Sequence, residues 1–395
     1  MKMKMKILIF IGHYLPGFKS GGILRSVENT VDNLGGEFEF SIITRDHDLG
    51  EKKTYSGINI NQWQSVGGAN VYYLNDNASS FSKICDLINN TPHDAIYLNS
   101  FFEPLSIKVL VARRLEKIAH KPIILSPRGE FAWASLKLKY PKKRLYIYFS
   151  ILIRLYNDIV WHASTDIEKK VISKMMSIKS SKIFVAKDLP IKVKQSIFND
   201  NVISDKNSSH DLRVVFISRI SPEKNLDYAL KILKKVNKSI AFDIYGSAEN
   251  VEYWKKCRLL INKLPNNIEA SYCGELEPKN VVNTFSEYDL LLFPSGGENY
   301  GHVIAESLSA GTPVLISKNT PWLGLEDKNL GWDIDLKNMD HFINVIHNLA
   351  LTTEKERMLK RTFIRENING ILFNKQDYED NRQLYLQLIS GGENI

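Results

Sequence analysis

Along the first two hundred residues, short continuous apolar runs alternate with segments whose apolar positions recur every three to four residues. The runs KILIFIG, FEFSIIT, DAIYLN, KPIILS, DIVWH and KIFVA have the length of buried strands. Ile23–Leu34, Ser79–Ile88 and Pro104–Ile118 carry helical spacing. Such alternation predicts parallel strands joined by crossover helices. Residues 199–211, NDNVISDKNSSHD, are polar and without period, and read as a linker. The alternation then restarts with LRVVFIS, IAFDIYG, IEASYCG, YDLLLFPS and TPVLIS. The pattern predicts two parallel-sheet α/β units, with boundaries at 1–198 and 212–374.

Ligands of parallel sheets sit at the carboxyl ends of the strands. The unusual residues of this chain fall there: GHYLPGFKSGG after the first strand, SRISPEKN after the first strand of the second unit, and PSGGENYG after YDLLLF. In SGGENYGHVIAESLSAG, a flexible loop runs into a helix that starts near Tyr300 or Gly301 and ends at Gly311, with Pro313 beyond it. The leading N–H groups of Gly301, His302 and Val303 suit an anion such as a diphosphate. Glu306 is placed to accept from a vicinal diol such as ribose, and Glu298 to reach the group beyond the diphosphate. Arg219 and Lys224 lie in a strand-end loop where they can neutralise phosphate charge. Taken singly, each of these residues also fits a solvated surface position. Their joint occurrence favours a nucleotide-diphosphate ligand with a polyhydroxyl tail.

Composition narrows the class. The chain has 395 residues, 44% hydrophobic and 24% charged, as expected of a globular two-domain protein. No apolar run approaches the roughly 20 residues of a membrane span. The opening MKMKMKILIFIGHYLPG resembles a secretion signal only superficially, because no small-residue cleavage site follows its short apolar run. It reads as a first buried strand. Cys85, Cys257 and Cys273 are scattered, which is consistent with a reducing cytoplasm. Residues 1–200 hold 29 Lys/Arg against 18 Asp/Glu, whereas the remainder holds 23 against 26. The basic first half suggests anionic partners. No nucleic-acid module is present, so nucleic acid is not expected among them.

The segments FISRISPEKNLDYAL, IYGSAE, CGELEPKNVVNTFSEYDLLLFPS and ENYGHVIAESLSAGTPVLIS together resemble the retaining nucleotide-sugar glycosyltransferases of family 4 (group 1). The Glu298–Glu306 pair matches the E-x7-E element of that family, and order and spacing agree across roughly residues 213–317. The first half is similar more loosely, through GGILRSVENTVDNLG and WHASTDIEKK. NKQDYEDNRQLYLQLI resembles the family's C-terminal helix, here 375–395, which crosses back onto the first domain. The resemblance implies a GT-B architecture, in which two Rossmann-like parallel-sheet domains face each other across a cleft. It also implies roles. Arg219 and Lys224 would bind the donor diphosphate and stabilise the leaving nucleotide. Glu306 would hold the ribose, Glu298 the donor sugar, and the amides of Tyr300 to Val303 phosphate or sugar. Gly21 and Gly22 would let the first-domain loop approach phosphate, and Gly246 and Ser247 would lie near the nucleotide. No metal or other cofactor is called for if the two cations and a helix N-terminus supply the positive charge.

One departure concerns ILSPRGEF, where the family commonly carries a histidine near the reacting sugar and this chain has Arg128. Arginine cannot act as a base at neutral pH. It could hold the donor sugar, or form a bracing pair with Glu130. His162 could line the cleft or be a buried structural histidine. Trp332–Asp335, WDID, mimics a metal-binding D-x-D element but reads as a loop or strand edge. The acceptor expected by family analogy is a lipid-linked glycan of bacterial surface polysaccharide. A basic stretch with apolar residues at helical spacing, Lys137 to Tyr156, is expected to meet an anionic membrane surface. Two alternatives remain: a nucleotide-sugar 2-epimerase and a non-catalytic binding protein.

Overall fold

The computed structural model describes residues 4–131, 136, 140–192 and 210–390. Most of the linker segment, 199–209, and Lys137 and Lys139 lie outside the described residues. The chain divides into two compact units, one formed by residues 1–192 with 374–395 and the other by 193–373.

The first unit is built on an eight-stranded sheet in the order β3-β4-β2-β1-β5-β6-β7-β8. Its strands are β1 (Met5–Phe10), β2 (Phe38–Arg45), β3 (Trp63–Val66), β4 (Ala69–Leu74), β5 (Ala95–Asn99), β6 (Ile123–Ser126), β7 (Val160–Ala163) and β8 (Ile183–Val185). Seven are parallel, and β3 runs antiparallel to β4. The six apolar runs expected as strands are all strands. The β3–β4 hairpin is an addition to that pattern. It turns at Gly67–Gly68, with Gly67 at φ 60°, a conformation a two-residue hairpin turn needs and glycine adopts without strain. The helices are α1 (Gly22–Leu34), α2 (Phe81–Asn90), α3 (Pro104–Arg114), α4 (Tyr140–Leu152) and α5 (Asp166–Met176). Helix α3 stops short of Ile118, and Glu116 takes a left-handed φ of 55° just beyond it. Apolar clusters lie on both sides of the sheet, which is why the central strands read as continuous apolar runs.

The second unit holds six strands, all parallel, in the order β11-β10-β9-β12-β13-β14. They are β9 (Leu212–Ile217), β10 (Ile240–Tyr245), β11 (Ile268–Gly274), β12 (Leu290–Phe293), β13 (Val314–Ser317) and β14 (Gly331–Ile334). The five expected runs are β9 to β13, and the WDID segment supplies the edge strand β14. The helices are α6 (Leu226–Leu233), α7 (Val251–Ile261), α8 (Pro278–Phe285), α9 (His302–Ser309), α10 (Met339–Ala350) and α11 (Glu354–Leu372). A capping box at Thr353 and Glu356 starts α11. The final helix, α12 (Lys375–Ser390), packs on the first unit. Tyr385 is buried against Phe38 and Phe40, and Arg382 Nε bonds Glu37 Oε2 at 2.5 Å.

Candidate donor site

In the second unit, β9 and β12 are neighbours, and the loops after them are tied together. Gly296 N–H donates to Glu223 O at 2.6 Å, and Asn225 Nδ2 donates to Pro294 O at 3.0 Å. Asn225 sits at φ 56° between a 3₁₀ turn, Pro222–Lys224, and α6. That reversal aims Lys224 across to the β12 loop. There Lys224 Nζ bonds both oxygens of Glu298, at 2.8 and 2.9 Å, while Ser295 Oγ donates to Glu298 Oε1 at 2.6 Å. The ammonium also lies 5.9 Å from the centre of the Phe293 ring. The Lys224 and Glu298 side chains are only 15% and 11% exposed, so the pair is shielded from water. Arg219 differs: its side chain is 45% exposed and meets Glu223 at 3.3 Å.

The third loop, after β10, joins the same cluster. Ile220 N–H donates to Ser247 O at 2.8 Å. Gly246 has φ 140°, and a Cβ there would stand 1.8 Å from Ser218 O. Only glycine permits this approach, so packing against the β9 loop is itself a sufficient reason for Gly246. Helix α9 begins at His302, one to two residues later than the sequence pattern suggests. Gly301 precedes it at φ 84° and has no side chain with which to cap the end. The first intrahelical donors to Gly301 O are Ile304 and Ala305 N–H. The Tyr300 carbonyl accepts from Trp322 Nε1 at 2.6 Å, fixing the entry to the helix. Val303 is partly buried in the first turn of α9, and Glu306, on its second, is buried.

Sequence reasoning placed Arg219, Lys224, Glu298, Gly246, Ser247, Tyr300, Gly301, His302, Val303 and Glu306 around one ligand. The structure carries them on strand-end loops and on α9 of one unit, and it pairs Lys224 with Glu298 directly. It adds Ser295 and Asn225, whose hydrogen bonds link the two loops. It also adds Ser221, whose buried hydroxyl has no hydrogen-bond partner among the described residues. A serine two residues after Arg219 carries no distinguishing signal in a single sequence.

In the first unit, Gly21 precedes α1 at φ 61° with open space where a Cβ would stand, and Gly22 is the first helical residue. Asp48 holds the loop before them through Phe18 N–H at 2.8 Å and Lys19 N–H at 3.2 Å. Arg128 follows β6 in a left-handed conformation, φ 54°. It does not pair with Glu130. Arg128 Nη1 bonds Asp188 at 2.5 Å, Nε donates to Asn99 Oδ1 at 3.1 Å, and Nη2 donates to the Tyr97 hydroxyl at 3.1 Å. Glu130 instead accepts the N–H groups of Phe101 and Phe102, at 2.5 and 3.1 Å. The physical reason is the backbone turn: Glu168 accepts Gly129 N–H at 2.6 Å, and the left-handed residues 128 and 129 send the two side chains to different partners. Burial opposes the charge of Arg128, but Tyr97, Asp188 and Glu168 more than offset it, so its pKa is raised. Burial pushes the Glu130 carboxyl up to about 7, against the two backbone donors.

The network continues from Tyr97 to His162. The Ala186 carbonyl can only accept, so His162 Nε2 carries the hydrogen in their 2.8 Å bond. Nδ1 then accepts from the Tyr97 hydroxyl at 2.6 Å. Burial first, and the charge of Arg128 second, lower the His162 pKa to about 4. His162 is thus a neutral structural histidine. Asp333 and Asp335 are also structural, accepting from Leu325 and Lys337 N–H. Among the described residues no group of three or more His, Cys, Asp or Glu side chains is placed to hold a metal ion.

Residues 199–366 match the family model of "Glycosyl transferases group 1". A relative from Klebsiella pneumoniae, "Uncharacterized 41.2 kDa protein in cps region", is 25% identical over 243 residues, 60% of this chain. That match spans 64% of the relative's length. Among solved structures, Anabaena HepE in complex with UDP and glucose aligns with TM-score 0.63 at 15% identity, covering 98% of this chain and all of that one. WaaG, a glycosyltransferase involved in lipopolysaccharide biosynthesis, aligns with TM-score 0.64 at 14% identity over 96% of this chain and 98% of its own. Sucrose-phosphate synthase from Thermosynechococcus elongatus aligns with TM-score 0.67 at 14% identity, covering 98% and 100%. Residues 199–366 thus resemble the group 1 glycosyltransferases, and the two sheets have the GT-B fold of these solved structures.

Proposed function

We propose that the protein transfers a sugar from a nucleotide diphosphate to an acceptor hydroxyl with retention of anomeric configuration. The observation that carries this reading is the junction of the β9 and β12 loops. There Lys224, on the same loop as Arg219 and Ser221, bonds Glu298, three residues before the Gly301 that opens α9. Breaking the bond between the anomeric carbon and the diphosphate oxygen leaves the electron pair on phosphate. Preorganised cations and helix N–H groups stabilise that charge as it develops. Arg219, exposed and, among the described residues, held only by Glu223, is the cation that can turn to phosphate at least cost. Lys224 would shift from Glu298 to the incoming diphosphate or bridge the two. Glu306 would bind ribose, and Glu298 would face the donor sugar. Arg128, fully engaged inside the first unit, is assigned a positioning role for the β6 and β8 loops rather than contact with the reacting atoms.

For the acceptor we propose a lipid-linked glycan of bacterial surface polysaccharide. This is supported by the relative in a capsule region, by the resemblance to WaaG and by the basic first half. The test is incubation of the purified chain with a panel of nucleotide sugars, with and without lipid extract, reading release of nucleoside diphosphate and glycan mass. Slow donor hydrolysis that accelerates with extract, with an α-donor giving an α-product, is expected. Appearance of an epimerised donor without transfer would favour an isomerase and overturn the proposal. Unchanged donors across the panel would leave binding alone and would likewise overturn it.

A further inference from the structure

Helix α4 carries an apolar face that no other part of its unit covers among the described residues. Leu145, Tyr148, Phe149 and Leu152 occupy positions i, i+3, i+4 and i+7, and are 69%, 68%, 56% and 65% exposed. Such spacing gathers them on one stripe. The opposite side is anchored: Ile147 and Ser150 are buried, and Tyr146 bonds Tyr156 through their hydroxyls at 2.7 Å and packs on Phe101 and Phe102. The sequence pattern also placed Leu155 on the apolar stripe. The helix ends before it, Arg154 takes a left-handed φ of 53°, and Leu155 turns into the core. The stripe is therefore shorter than the pattern suggests, and truly outward.

Charge says what covers it. Residues 131–157 contain six Lys/Arg and no Asp/Glu. Lys142 and Lys143 stand in the first turn of α4 and Arg144 directly after it, where their charge opposes the helix dipole. Local helix stability does not account for three cations there. Arg144 donates to the Tyr140 hydroxyl at 3.0 Å and, like Lys142, is exposed, whereas Lys143 lies on the anchored side, 4.9 Å from the centre of the Phe102 ring. A second copy of the same face would set these cations against their own kind. At 13 residues the helix is about 20 Å long, and no helix among the described residues is long and apolar enough to cross a membrane.

We propose that α4 is an interfacial docking surface for an anionic phospholipid bilayer. Leu145, Tyr148, Phe149 and Leu152 enter the upper acyl region, while the exposed Lys142, Arg144 and Arg154 meet lipid phosphates. The helix lies in the plane of the surface. No donor-site residue takes part, so the proposal stands or falls separately from the transferase reading.

The experiment is co-sedimentation of the full chain with vesicles of phosphatidylethanolamine and phosphatidylglycerol, or of phosphatidylcholine alone, at low and high salt. The variants are K142E/R144E and L145Q/L152Q, both on exposed positions, with circular dichroism and nucleoside diphosphate binding as checks of the fold. Wild type is expected to bind the anionic vesicles at low salt and to lose binding at high salt. Each variant is expected to bind them at least about tenfold more weakly, with unchanged nucleotide affinity. Failure of wild type to bind at low salt overturns the proposal, as does equal binding to phosphatidylcholine or full binding by L145Q/L152Q. A vesicle-free dimer that L145Q/L152Q dissociates would assign the face to self-association and overturn it too. If a variant misfolds, the salt and lipid dependence of the wild type still decides.

Discussion

Lys224 and Glu298, 74 residues apart, form a shielded bidentate ion pair that joins the two loops of the candidate donor site. A diphosphate arriving there competes with Glu298 for the ammonium. Glu298→Gln should release Lys224 to phosphate. We expect the affinity for the bare nucleoside diphosphate to stay within a few fold or improve, while sugar transfer falls by about tenfold or more. Calorimetry with the nucleotide alone, beside turnover with the full donor, checks both. A large loss of nucleotide affinity would show that Glu298 serves the nucleotide rather than the sugar.

Removing the cation itself should act mainly on the reaction. Lys224→Ala is expected to lower kcat by roughly a hundredfold or more, the scale seen when one preorganised donor to a developing anion is lost. Arg219→Ala should do the same with less effect on folding, since Arg219 is exposed and its ion pair with Glu223 is its only one among the described residues. Near-normal turnover in both single variants would remove the leaving-group role from this loop.

Glu306 sits on α9 and is buried. Glu306→Gln keeps its size and should weaken nucleotide binding by roughly tenfold, through the loss of a charge-assisted bond to a diol. Calorimetry against the nucleoside diphosphate is the measure, with a thermal melt to separate binding from stability. Unaltered affinity in a well-folded variant would reverse the assignments of the two glutamates.

Two buried groups of the first unit should give opposite pH dependence. His162 has its pKa lowered from 6.5 to about 4, so the stability from its neutral form is full above 6.5 and is lost as pH falls through 4. The effect is roughly 3 kcal/mol over that window. Glu130 has its pKa raised from 4.5 to about 7, so its contribution is full below 4.5 and is lost as pH rises through 7. Glu130→Gln should therefore gain stability relative to wild type as pH rises from 5 to 8, by roughly 2 kcal/mol at the top of that range. Urea unfolding across this pH range, followed by a probe in the first unit, checks both signs. A constant difference between Glu130→Gln and wild type at all pH values would refute the Glu130 claim.

Arg128→Met should strip the buried Asp188 of its Arg128 ion pair, at a cost of roughly 3–5 kcal/mol. Arg128→Met with Asp188→Leu should recover part of that loss. If the double variant folds and still transfers sugar, Arg128 is a positioning residue. If it folds stably and turnover vanishes while nucleotide affinity persists, the guanidinium contacts the reacting sugar after all.

The alternation of apolar runs and helical spacing was enough to read two parallel-sheet units, eleven of the fourteen strands and the strand-end loops that carry the candidate site. A strand buried on both faces must be apolar throughout, and that demand is written locally. The β3–β4 hairpin escaped because β3 is a half-exposed edge strand with mixed residues, and β14 because GWDI is too short to stand out. Glu298, Glu306, Arg219 and Lys224 were legible through their spacing. Their partners were not: Lys224 meets Glu298 only because β9 and β12 are neighbours in the sheet, and Arg128 meets Asp188, 60 residues on, only because the turn after β6 faces the loop after β8. Sequence determined which positions had to be buried and which loops could bear charge, since those follow from local period and solvation. Tertiary structure decided who pairs with whom and which face of α4 stays outside, since both depend on chain segments brought together from far apart.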